Sequence, residues 1–150
     1  MRKRPSARLL VLDPQDRVLL FLFDHRTGPL AGTAFWATPG GSLDTGESYA
    51  QAARRELCEE TGIDAEVGSV IAVRHTEFMM PEGDMVSAEE HYFVVRAPGA
   101  IDHSGNPDPV ERDIIAKARW WSLEELKAAR ETIFPENIAE MVETAITGNR

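Results

Sequence analysis

Five acidic side chains fall between Gly41 and Ile63: Asp44, Glu47, Glu56, Glu59 and Glu60. At about 100° per residue, Glu59 and Glu60 lie roughly 60° to one side and 40° to the other of Glu56, so a helix through this stretch gathers three carboxylates on one face. Like charges at this spacing repel by roughly a few tenths of a kcal/mol per pair in water, and by more when partly buried. Something must offset that repulsion. A hard divalent cation such as Mg²⁺ or Mn²⁺ does so, because it takes oxygen ligands and bridges carboxylates to the phosphate oxygens of a substrate. Taken alone, the triplet reads more readily as a solvated acidic helix face than as a metal site.

The elements that must position these groups are legible around them. Ser48 with Gln51 three residues on forms a capping box, the segment to Glu60 is rich in Ala, Arg, Glu and Leu, and Gly62 stands where a left-handed residue ends a helix. On this helix Ala50, Ala53 and Leu57 form an apolar stripe for packing on a sheet, while Ala52 beside the carboxylates leaves room for an approaching group. Cys58 falls near −160° from Glu56, away from any metal, and is expected to be a buried structural thiol.

Upstream, Ala7 to Leu12 and Arg17 to Phe23 are apolar and β-prone around the turn Asp13-Pro14-Gln15-Asp16, the pattern of a hairpin. Asp24 to Ala34 reads as a loop and Phe35-Trp36-Ala37 as a short strand before Pro39-Gly40-Gly41. Downstream, Glu66 to Phe78 and His91 to Ala97 are candidate strands joined by the turn Pro81-Glu82-Gly83-Asp84. A surface loop is expected over Pro98 to Val110, then a last strand Ala118-Arg119-Trp120-Trp121. The capping box Ser122-Leu123-Glu124-Glu125 opens a short helix to about Arg130, and Pro135 is expected to begin a final helix running to about Thr147, before Gly148. The fold class is therefore α+β, a central mixed β-sheet with helices against both faces in an α/β/α sandwich.

Composition bounds the reading. The 150 residues, 43% hydrophobic, suit one domain spanning 1–150. A formal net charge of −9 opposes the holding of a long nucleic acid by counterion release. The single cysteine allows no internal disulfide and no multi-cysteine zinc site, consistent with a reducing cytoplasm. No apolar run reaches the length of a signal-peptide core or a membrane span.

The stretch Gly41-(five residues)-Glu47-(seven residues)-Arg55-Glu56-Leu57-Cys58-Glu59-Glu60-Thr61-Gly62-Ile63 resembles the signature box of the Nudix hydrolases at each defining position. Trp36 to Gly41 resembles the family's entry into that box, and Ala118 to Leu126 resembles its final strand and helix start. The resemblance implies a Nudix-type α/β/α sandwich carrying a catalytic loop-helix-loop. It also implies Mg²⁺- or Mn²⁺-dependent hydrolysis, by water, of a nucleoside diphosphate linked to another moiety. By the same resemblance Glu56, Glu59 and Glu60 are metal-binding carboxylates, with Glu56 also able to orient or deprotonate water, and the Gly40 carbonyl is a backbone ligand. Glu47 and Arg55 match a pair that ties loop to helix and orients the glutamates. The general base is Glu56 or a glutamate outside the box: Glu111, then Glu89 or Glu90.

A nucleotide-sensing binding module of the same fold is the alternative, and family members often form homodimers. The four histidines, His25, His75, His91 and His103, show no metal spacing and are assigned surface or packing roles. Trp36, Phe35, Phe78 and Phe134 are candidates to stack on a nucleobase, although aromatic residues beside strands usually serve the core. Asn137 resembles a purine-contacting position, and Arg26 and Arg74 are possible phosphate contacts.

Overall fold

The computed structural model describes residues 1–97 and 115–148. Its elements in chain order are β1 (Arg2–Lys3), β2 (Ser6–Leu12), β3 (Val18–Asp24), β4 (Ala34–Ala37), β5 (Gly40–Ser42), α1 (Tyr49–Thr61), β6 (Val70–Met79), β7 (Met85–Arg96), β8 (Ile115–Trp121), α2 (Leu123–Ala128), β9 (Ile133–Phe134) and α3 (Ile138–Gly148). The strands join in one mixed sheet of order β1-β7-β2-β3-β4-β9, with β5 on β2, β6 on β7 and β8 on β3.

Strand β2 explains the layering. Its residues from Leu9 to Leu12 are fully buried, so both faces of that half of the strand are covered, as this four-residue apolar run requires. Leu9 and Val11 join Ala52, Ala53 and Leu57 of α1 in one core cluster, which also holds Leu19, Phe21 and Phe93. Leu10 and Leu12 turn to the other face, where Ile138, Met141 and Val142 of α3 and Leu126 of α2 pack with Val18, Tyr92 and Trp121. The period-2 alternation of a strand sends successive leucines to opposite cores, and the result is the expected α/β/α sandwich.

Several sequence expectations are corrected. Strand β7 begins at Met85 rather than His91, because Val86, Ala88 and Glu90 alternate inward along a ladder with β6 that also pairs Met79 with Met85. Strand β6 begins at Val70 rather than Glu66. The final helix begins at Ile138 rather than Pro135 and runs through Gly148. Ile133 and Phe134 pair in parallel with Trp36 and Ala37, and this ladder holds the chain extended up to the proline. Helix α2 ends at Ala128 rather than near Arg130.

On α1 the buried residues are Ala52, Ala53, Glu56, Leu57, Glu60 and Thr61. Carboxylates and apolar side chains thus share the inward half of the helix. The opposite side faces solvent, so Cys58 is exposed instead of buried. Ala50, in the first turn, is exposed as well, and Ala52 is part of the core rather than an open space.

Candidate active site

Helix α1 is fixed at both ends by its own sequence. The Ser48 hydroxyl accepts from the Gln51 backbone N–H at 3.1 Å, and the Gln51 side chain accepts from the Ser48 N–H at 2.8 Å. Gly62 closes the helix at φ 78°, its N–H donating to the Cys58 carbonyl. The helix carries the glutamates to Gly40 and Gly41, at the start of β5.

These two positions admit no side chains. A Cβ on Gly41 would stand 2.6 Å from Oε1 of Glu56, and one on Gly40, where φ is 142°, would stand 2.2 Å from the Ala7 carbonyl and 2.9 Å from Cδ of Arg8. The Gly40 N–H donates to Oε1 of Glu60 at 2.7 Å. Two of the three helix carboxylates are therefore buried and seated against the two glycines.

Arg55 gathers the rest. Its Nε and Nη2 donate to Oε2 and Oε1 of Glu47 at 2.8 and 2.9 Å, a bidentate fork, and Nη2 also donates to the Ser42 carbonyl at 3.1 Å. Nη1 donates to Oε1 of Glu56 at 2.9 Å and to Oε2 of Glu59 at 3.3 Å. Glu47 in turn accepts from the Asp44 N–H at 2.9 Å. Hydrogen bonds to charged groups contribute about 1.5–3 kcal/mol each, and the Glu47–Arg55 pair is mostly shielded, so it fixes the loop to the helix more firmly than a solvated surface pair would. The electrostatics agree. Hydrogen bonding to Glu47 and the nearby Glu56 hold the Arg55 guanidinium well above its ordinary value, against the cost of burial. The Arg55 bond lowers the Glu47 carboxyl below its own.

A cleft of about 500 Å³ opens beside Gly40. Gly40, Thr38 and Arg8 lie at its inner end, and Phe35 and Phe134 stand on its wall, ring centroids 5.3 Å apart. Phe23 stacks on Phe35 at 5.7 Å, and His25 is buried beside them with Nδ1 3.1 Å from the Thr33 carbonyl. The opposite wall carries Phe78, with the Arg4 guanidinium 5.9 Å above its ring.

The candidates divide accordingly. Phe35, Phe78, Phe134 and Arg74 line the cleft, whereas Trp36 is buried in the core, edge-to-face on Trp121. Arg26 is largely exposed and faces Asp24, and Asn137 is exposed just before α3. Glu111 lies outside the described residues.

Glu89 and Glu90 point to opposite faces of β7. Glu90 is buried in the cleft. Glu89 instead stands half-exposed on the other face, met by His91, His75 and the Tyr49 hydroxyl at 2.8, 3.0 and 3.3 Å, and the two imidazoles followed by the tyrosine lower its carboxyl below the ordinary value. Two of the scattered histidines thus meet on one carboxylate, which spacing along the chain does not reveal. Sequence reasoning also missed Arg8, Tyr92 and the placement of Glu90. An arginine inside the otherwise apolar SARLLVL strand was the available signal, since a half-buried cation requires a partner. Among the described residues no three His, Cys, Asp or Glu side chains are already closed around a metal-sized site.

Residues 2–142 match the family model of the NUDIX domain. An RNA pyrophosphohydrolase of Novosphingobium aromaticivorans is 37% identical over 76 residues, covering 51% of this chain and 45% of that protein. A CMP-5'-(N-acetyl-N-hydroxy-3-aminopropyl)phosphonate hydrolase of Streptomyces rubellomurinus is 32% identical over 124 residues, covering 82% of this chain and 54% of that protein. The chain spans about half the length of these relatives. The crystal structure of a MutT protein from Methanosarcina mazei Go1 shares the fold, with a TM-score of 0.70 over 99% of this chain and 96% of that one at 21% identity.

Proposed function

The chain belongs to the Nudix family, matched over residues 2–142, and from that premise we propose that it is a divalent-cation-dependent hydrolase of small nucleotides or nucleotide conjugates. It cleaves within a diphosphate by attack of water on phosphorus. The observation that carries this reading is the seating of Glu56 and Glu60 against Gly41 and Gly40, with Arg55 holding Glu56, Glu59 and Glu47 together.

The donor set fits the expected ion. Glu56, Glu59, Glu60 and the Gly40 carbonyl are all hard oxygen donors, suited to Mg²⁺ or Mn²⁺, and no sulfur or imidazole stands among them. When bound, such a cation neutralises the diphosphate oxygens and lowers the pKa of a water. The chain's own groups do the remainder. Gly40 and Gly41 let the polyanion approach backbone that bears no Cβ. Arg55 holds Glu56 and Glu59 in place, and Glu47 keeps Arg55 aimed. Glu56 orients the attacking water and accepts its proton, with Glu111 as the second candidate for that step. The Phe35 and Phe134 wall receives the apolar face of the nucleoside.

The relatives are named for RNA and for a CMP conjugate, and both classes enter the test below. The net charge of −9 favours the small conjugate over a long polyanion. A product-release assay over nucleoside triphosphates, nucleotide sugars, dinucleoside polyphosphates, a CMP conjugate and a 5'-triphosphate RNA, with Mg²⁺ or Mn²⁺, tests the reading. Turnover of at least one small nucleotide, abolished by chelation, is expected. Turnover of the RNA alone overturns the substrate class, and turnover of nothing overturns the activity.

A further inference from the structure

We propose that Arg8, with Arg74 beside it, forms an anion-binding fork in the cleft, and that Glu90 occupies this fork until phosphoryl oxygens of the substrate take its place. The inference deepens the reading above, on which it rests for the identity of the substrate.

Arg8 is the one cation within β2, and its side chain is only 17% exposed. It touches Glu90 through a single contact, Nε to Oε2 at 3.2 Å. The same chain shows what a settled arginine–glutamate pair looks like: Arg55 grips Glu47 with two bonds of 2.8 and 2.9 Å. The Arg8 contact is longer than the roughly 2.7–2.9 Å typical of a charge-assisted bond and leaves the bidentate geometry of the guanidinium unused. A buried pair of that quality adds little to stability, since desolvation offsets most of its attraction. Its position is more informative. Cδ of Arg8 packs where a Gly40 Cβ would be, the Gly40 N–H holds Glu60, and Glu60 itself acts electrostatically on Arg8. Arg8 thus lines the cleft directly beside the backbone that seats Glu60.

The surrounding groups suit an exchange of partners. The Tyr92 hydroxyl donates to the other Glu90 oxygen at 3.2 Å, and burial followed by the Glu90 charge pushes its pKa up to about 12, so it remains a proton donor. Glu90 therefore keeps one bond when Arg8 leaves it. Arg74 lies opposite Glu90 in the β6–β7 ladder and lines the same cleft. The other acids on the cleft, Glu77, Glu82 and Glu136, are exposed, which leaves Glu90 as the buried carboxylate competing for the fork. A planar guanidinium matches phosphate as well as carboxylate, and a diphosphate brings more charge than Glu90 does.

The test is binding of inorganic pyrophosphate by calorimetry, in chelator so that no divalent cation contributes, to the wild type, Arg8→Gln, Arg8→Lys, Arg74→Gln and Glu90→Gln. Loss or gain of a bond to a charged group corresponds to about tenfold or more in affinity. Arg8→Gln is expected to weaken binding by at least that factor, Arg8→Lys to restore it in part, and Glu90→Gln to tighten it. Equal binding by folded Arg8→Gln and the wild type overturns the proposal, as does failure of Glu90→Gln to tighten binding, or no wild-type binding. Should Arg8→Gln not fold, weakening by Arg74→Gln together with tightening by Glu90→Gln carries the test. Arg8-dependent binding in a chain that turns over no nucleotide supports the fork and refutes the hydrolase reading. Turnover with Arg8-independent binding refutes the fork alone.

Discussion

Arg55 is the residue through which the candidate site holds together. It joins the loop at Ser42 and Glu47 to the helix at Glu56 and Glu59, and only a guanidinium reaches all four. Arg55→Lys keeps the charge but loses the fork, and groups of this orienting kind typically alter activity about 10- to 100-fold. We expect kcat/KM to fall within that range while Mg²⁺ is saturating, as steady-state kinetics would show. Glu47 supplies a pH signature. Its carboxyl lies below its ordinary value of 4.5, chiefly through the Arg55 bond, so its stabilising contribution is present above pH 4.5 and is lost as pH falls through the lowered native value. Glu47→Gln should therefore melt below the wild type at pH 7, the gap closing as pH drops under 4.5. A gap that persists or widens in acid would contradict the ion pair. At this scale the box carboxylates were legible because a 3.6-residue period and fixed gaps can be counted. Arg8, Glu90 and Tyr92 were not, because their meeting requires the pairing of β2 with β7, which no local spacing encodes.

Helix α1 is the element that gives those residues a common frame. Both of its ends follow from local chemistry, the Ser48 capping box and the left-handed Gly62, which is why the sequence locates it to the residue. Ser48→Ala removes the oxygen that accepts from Gln51 and should cost about 1 kcal/mol, measured by denaturant unfolding. The elements misjudged from sequence are those whose boundaries depend on a partner. The strand expected to begin at His91 instead begins at Met85, running through Glu89 and Glu90 because alternate residues face different environments. Pro135 looked like a helix start, yet pairing of Ile133–Phe134 with β4 delays α3 to Ile138. Cys58 was misplaced for a related reason: wheel angles give relative directions, and only the position of the sheet decides which direction is inward.

At the scale of the whole molecule, one sheet separates two cores with different duties. The α1 core bears directly on the box helix, while the α2 and α3 core closes the far face. Leu57→Ala and Val142→Ala both remove buried side-chain volume, and the leucine change should cost about 2–5 kcal/mol. Their effects on catalysis should differ. At a temperature where both variants are folded, Leu57→Ala is expected to lower kcat by shifting α1, and Val142→Ala to leave kcat near wild type while lowering Tm. Charge is also divided. Of the net −9, the segment from Gly41 to Ile63 contributes −3, five acids against Arg54 and Arg55, and under the proposed function this local excess collects the cations that a small polyanionic substrate needs.

The most direct measurement of that claim is the Mg²⁺ dependence of nucleotide product release by the wild type, Glu59→Gln and Glu60→Gln under identical conditions. Removing one carboxylate from a cation that supplies several kcal/mol of barrier lowering should reduce kcat/KM by about 100-fold or more and shift the Mg²⁺ requirement upward. Variants that release product at the wild-type rate, or a wild type indifferent to chelation, would contradict the account.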